Sequence, residues 1–143
     1  MTENERWEQL VSLDEKYLEG GVILSEWCSF LCRDSELAYA CGAFLSTIIT
    51  AVAGIEAYLR SEYKHGEKHT SLYKLIKESP IEPKLKEDIQ LLRKYRNKWV
   101  HIDNPWEDEI LLEKAEDYEK QIEEMALFAI DVLLRTIYEN PCI

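Results

Sequence analysis

The sequence predicts an all-α bundle of five to six helices, two of them long, within a single domain spanning all 143 residues. Three observations carry that expectation. Apolar residues recur at three- and four-residue steps through most of the chain, the spacing that lines one face of a helix. No stretch alternates apolar and polar residues for long, and no Asn-Gly or Asp-Gly turn joins two strands. Hydrophobic residues make up 46% of the chain and charged ones 31%, with 5 Gly and 4 Pro, so a packed core is affordable and a disordered or collagen-like chain is excluded.

The elements follow in order. A polar first helix spans about residues 5–19, with Trp7, Leu10, Val11, Leu13, Tyr17 and Leu18 as its apolar positions, and Gly20-Gly21 ends it. A short helix is expected from Val22 to about Arg33, after which Asp34-Ser35-Glu36 supplies N-caps for the next. That next helix, Leu37–Tyr63, is the first long member. Its stretch Leu37–Ile55 is free of charge, close to the length of a membrane span. Ser46, Thr47, Thr50 and two glycines dilute its hydrophobicity and Glu56 follows at once, so it reads as the buried central helix of a bundle. Gly66 and the polar run 67–70 close it. Ser71 to about Ser79 forms a short helix stopped by Pro80, and Pro83 opens a helix reaching about His101. After the Asn104-Pro105 break, a second long helix runs from Glu107 to Tyr138.

Charge narrows the function classes. With 17 Lys and Arg against 28 Asp and Glu, the net charge is −11, unfavourable for general binding to nucleic acid or anionic membranes. The distribution is uneven. Residues 1–59 carry 10 acids and 3 bases, residues 60–102 carry 6 acids and 11 bases, and residues 103–143 carry 12 acids and 3 bases. A basic middle third inside an acidic chain either neutralises its neighbours or faces a phosphate-bearing ligand. The polar, acidic start of the chain has no secretory pattern, and 4 cysteines do not make a disulfide scaffold, so the expected location is cytoplasmic.

Several chemistries find no support. Cys28 and Cys32 are four apart with Cys41 near, which lacks zinc-site spacing and reads as buried reduced thiols. His65 and His69 are separated by Gly66 and read as exposed loop residues. There is no phosphate-binding glycine loop, nucleophile elbow or zinc-protease motif. Neither a metal nor a cofactor is expected. Glu113 and Glu116 supply half of the Glu-x-x-Glu/Glu-x-x-Asp pattern of Mg²⁺-dependent nucleotide pyrophosphohydrolases, but no Glu-x-x-Asp occurs, which leaves that function a weak alternative.

The segment Leu91–His101 is the most informative. At 100° per residue from Leu92, roughly, Leu85, Ile89, Tyr95 and Trp99 form an apolar seam within about 60° of zero. Arg96 falls inside that seam, where an unpaired charge is costly. Glu56, the charge nearest the apolar end of the central helix, is its expected ion partner. Asn97 and His101 share another face, bordered by Arg93. By itself, a histidine at a helix C-terminus is well placed as a surface cation.

Arg96-Asn97-x-x-x-His101 resembles the Arg-x4–6-His signature of the HEPN superfamily, small all-α domains of RNases, toxins and defence systems. Phe44–Arg60, with Glu56 near its end, is similar to that family's central helix, and Ser71–Ile76 resembles its short connecting helix. The resemblance covers about residues 36–138. Arg60 and His65 repeat the spacing and are read as accidental. The resemblance implies a metal-independent ribonuclease or RNA-binding protein of a bacterial defence or toxin–antitoxin type. His101 would act as acid or base at the ribose 2′-OH, Arg96 would stabilise phosphate charge and Asn97 would position one of them. Glu56, Arg93 and Tyr95 would support the site. The implied partners are RNA or a nucleotide, a cognate antitoxin or partner protein, and a second copy of the chain, with no membrane. A homodimer through the helix of Lys84–His101 would pair the two motifs, because Arg96 and His101 diverge by about 140° on one ideal helix. The alternative is a non-catalytic nucleotide-binding or protein-interaction module in which Arg96 is structural.

Overall fold

A computed structural model describes residues 1–64, 70–106 and 109–140. Among these the chain forms α1 (Glu3–Tyr17), α2 (Glu26–Ala40), α3 (Phe44–Tyr63), α4 (Leu72–Glu78), α5 (Pro83–Val100), α6 (Glu109–Glu113) and α7 (Ala115–Ile137), with no strand. The all-α expectation holds, while seven helices replace the expected five to six. None is long and apolar enough to cross a membrane.

Both expected long helices are divided. Leu37–Tyr63 is broken because α2 runs on through Asp34-Ser35-Glu36 to Ala40, so those residues are helical interior and not caps. Gly42 adopts φ +82° and turns the chain. Its N–H donates to Tyr39 O at 3.0 Å and that of Ala43 to Ala38 O at 2.8 Å, which satisfies the last carbonyls of α2. Helix α2 also starts later than expected, capped by the Ser25 hydroxyl accepting from Cys28 N. The second long helix breaks at Lys114, whose φ −117° and ψ 35° are not helical. Its expected start at 107 lies outside the described residues. Helix α1 begins earlier than expected, because Thr2 and Glu5 form a capping box.

Helix α3 is the centre. It packs most extensively against α2 and α7, with α4 and α5 also touching it. Ile48, Val52, Ile55 and Leu59 of α3 are buried with Ile130 and Leu133 of α7. Gly54 allows the close approach: a Cβ there would lie 3.2 Å from Leu133 Cδ1 and 3.6 Å from Leu31 Cβ. On α5, Leu85, Ile89 and Leu92 are buried as the seam predicts. Their burial sets which face α5 turns outward, and therefore where the Arg96 motif points.

Candidate functional site

The motif occupies the C-terminal end of α5. Arg96 is half-buried, and its Nε donates to Asn97 Oδ1 at 3.0 Å. His101 is the exposed C-cap, and its N–H donates to Asn97 O at 2.9 Å. Asn97 thus bonds to both partners, through its side chain on one side and its backbone on the other. The helix ends at Val100, so the His101 side chain is not bound to the ideal 140° divergence.

The expected Glu56–Arg96 ion pair does not form. Glu56 Oε1 accepts from Arg60 Nη2 at 2.7 Å, a pair one helical turn apart that needs no long-range alignment. The same Nη2 donates to Thr70 O at 2.7 Å, which braces the start of the α4 region. Among the described residues Arg96 meets no carboxylate. Arg93 turns away from Arg96: its Nε donates to Gln90 Oε1 at 2.8 Å and its guanidinium lies 5.4 Å from the Tyr73 ring centroid. Tyr95 is half-buried and donates to Gln121 Oε1 at 3.3 Å, tying α5 to α7. The structure therefore joins Arg96 to Asn97 through their side chains, links His101 only by the backbone bond that closes the helix, and puts Glu56 and Arg93 in separate contacts.

Beside the motif is a cluster that the sequence reading did not single out. Lys98 Nζ lies 5.8 Å from the Tyr95 ring, 5.7 Å from Trp99 and 5.3 Å from Tyr118. Trp99 meets Tyr118 edge-on at 6.5 Å. The Trp99 indole N–H is buried without a hydrogen-bond partner among the described residues. The available signal was the three-residue grouping of Tyr95, Lys98 and Trp99 with a tyrosine on the final helix. Outward from this cluster, Val100, Ile102 and Trp106 are exposed, Trp106 to 87%.

The other expected sites resolve as follows. Cys28 is buried, Cys32 half-buried, and their sulfurs lie 3.9 Å apart as free thiols, whereas Cys41 is exposed at the end of α2 and not buried as expected. The neighbouring thiol lowers the Cys28 pKa and raises that of Cys32. His65 and His69 lie outside the described residues. Glu113 closes α6 and Glu116 belongs to α7, so the Lys114 break separates the two carboxylates. Among the described residues no group of three or more His, Cys, Asp or Glu is placed to hold a metal.

No family model matches the chain, and neither a curated protein nor a solved structure resembles it significantly.

Proposed function

We propose that this chain is an HEPN-like, RNA-directed domain that cleaves RNA without a metal, and that it works as a homodimer. The observation that carries the reading is the side-chain bond from Arg96 to Asn97 at the end of α5, with an Arg96 guanidinium that meets no carboxylate among the described residues. An arginine locked into Glu56 would have been a structural element. An arginine held only by a neutral amide keeps its charge for a phosphate.

In this reading His101 removes the proton of a ribose 2′-OH and the oxygen attacks the adjacent phosphorus. Arg96 stabilises the negative charge that builds on the phosphoryl oxygens, the P–O5′ bond breaks to leave a 2′,3′-cyclic phosphate, and the 5′-oxygen takes its proton from solvent water. Asn97 fixes the Arg96 guanidinium at Nε and leaves the Nη groups for the anion. A second copy supports this arrangement in two ways. It brings the His101 of one chain to the Arg96 of the other, and it covers the exposed Val100, Ile102 and Trp106.

The test is incubation of mixed RNA in EDTA with the protein and with His101→Ala. The wild type cleaves, and the variant loses about 10²–10⁴-fold of the rate. Sedimentation shows a species of twice 16.8 kDa. The aromatic–cation cluster favours a second reading, binding without cleavage, and an inactive wild type that still retains RNA selects it.

A further inference from the structure

Among the described residues nothing covers the outer face of α2. The helix touches α1, α3 and α7, and Cys28, Ser35 and Tyr39 are buried on its inner side. On the opposite side Trp27 is 81% exposed, Phe30 58% and Leu37 43%, and Ile23, just before the helix, is exposed as well. Two open aromatics, of a kind that buries roughly 150–250 Å² each, are more than scattered surface apolar residues. At about 100° per residue, Trp27, Phe30 and Leu37 share one stripe with Glu26, Arg33 and Asp34, all within about 60° of Phe30.

The stripe complements itself about Phe30. Glu26 and Arg33 lie on one flank, about 6 Å before and about 4.5 Å after Phe30 along the helix axis. Trp27 and Asp34 lie on the other flank, about 4.5 Å before and about 6 Å after it. A two-fold axis beside Phe30 and perpendicular to α2 keeps each flank on its own side and exchanges the two ends of the helix. It sets Arg33 against Glu26 of the second copy and Trp27 against Asp34 of the second copy, each pair twice. Phe30 meets Phe30, and Leu37 lies towards the second copy's Ile23. Each acid then faces a guanidinium or an indole N–H. In the single chain Arg33 Nε donates to Asp34 Oδ1 at 3.0 Å, and its guanidinium lies 4.6 Å from the Phe30 ring centroid. Both members of that pair are more than half exposed, so the pair is worth little and Arg33 turns from it at small cost. Glu26 has no ion partner among the described residues.

We propose that this face is an isologous interface on which a second copy of the chain docks antiparallel, α2 on α2. The charge pattern selects that occupant. An anionic lipid surface is disfavoured, since the stripe holds two acids and one base and the chain carries a net −11. An unrelated protein has no need of charges that return to complementary positions about Phe30. The contact is one helix wide, which puts it among the small, weak interfaces that form as concentration rises. Among the described residues α2 does not touch α5, so this surface is separate from the end of α5 that the RNA reading pairs, and it stands without that reading. It doubles a dimer if α5 pairs, and a monomer if it does not.

Sedimentation of the full chain over rising concentration reads the association. The wild type doubles its mass. Arg33→Glu sets acid against acid in both symmetric pairs and raises the dissociation constant of that step about 10- to 100-fold. Adding Glu26→Arg to Arg33→Glu exchanges the charges and restores the association. Both residues are exposed, so the variants keep the fold, and far-UV circular dichroism checks it. A wild-type mass independent of concentration, an Arg33→Glu variant that associates like the wild type, or a double exchange no tighter than the single one overturns the proposal. Binding of the chain to phosphatidylglycerol vesicles, lost in Trp27→Ala, would also overturn it and give the face to a membrane. The two readings fail separately. RNA cleavage by a protein whose mass never doubles removes the α2 interface alone, and doubling that obeys the charge exchange in a protein that never cleaves RNA removes the ribonuclease alone.

Discussion

Arg96 Nε donates to Asn97 Oδ1 at 3.0 Å, so the arginine on the apolar seam of α5 is held by its own neighbour in sequence and, among the described residues, not by a distant carboxylate. The bond orients the guanidinium without neutralising it. That distinction separates an arginine kept for a ligand from one spent on the fold.

Exchanging the amide for a carboxylate therefore blocks the ligand while preserving the local geometry. Asn97→Asp is expected to weaken binding of single-stranded RNA by about tenfold, since the new charge pairs with Arg96. Fluorescence anisotropy at two salt concentrations measures it, with an unchanged far-UV circular dichroism spectrum as control. Equal affinity for the variant and the wild type would mean that Arg96 does not meet the phosphate.

A second arginine behaves in the opposite way. Arg135 of α7 donates to Asp88 of α5 at 2.8 Å and lies 3.5 Å from Asp131, with the two side chains of the closer pair only 21% and 10% exposed. Tyr17 of α1 donates to Asp131, so three helices meet there. Removing Arg135 leaves the mostly buried Asp88 with only the exposed Lys84, 3.2 Å away, as a cation partner. Arg135→Met is expected to cost about 3 kcal/mol in chemical denaturation, and adding Asp88→Leu returns part of that loss. Strictly additive losses would show that the pair is uncoupled.

How far the sequence leads can be read from α5 itself. Its helical period places Leu85, Ile89 and Leu92 inward, as observed. The same wheel puts Asp88 at about −40°, inside the seam, so a buried acid seeking a cation was legible there. Its partner Arg135 was not, because pairing between α5 and α7 depends on how the helices dock. Glu56 misled for a related reason. Proximity to the seam suggested Arg96, but Arg60 stands one turn away on the same helix and competes at no cost in chain ordering. The breaks at Gly42 and Lys114 were hidden by uninterrupted apolar spacing, which continues across a turn that keeps both helices on one core. At the site, the motif residues were legible as a spacing. The aromatic–cation cluster was not, since Tyr118 reaches Lys98 and Gln121 reaches Tyr95 only through the tertiary packing of α7.

A half-buried acid, Glu36, leaves a mark on the pH dependence of this acidic protein. Burial first, and the Asp14 charge second, raise the pKa of Glu36 above the ordinary carboxylate value. A raised acid costs stability wherever it is ionised in the folded state. That cost disappears as pH falls through the raised folded value towards the unfolded one, near about 4.3. Glu36→Gln is expected to raise Tm at pH 7 and to make no difference below about pH 4. A gain that persisted at acid pH would assign the effect to packing.

The most direct test of a cleft shared by two copies is complementation. Arg96→Ala and His101→Ala are each inactive alone. Mixed and allowed to exchange, half of the dimers are hybrids, and each hybrid has one site with both the Arg96 of one chain and the His101 of the other. The mixture should recover about a quarter of the wild-type RNA cleavage in EDTA. A mixture that stays silent while the wild type cleaves would contradict the shared site, and a silent wild type would contradict the ribonuclease itself.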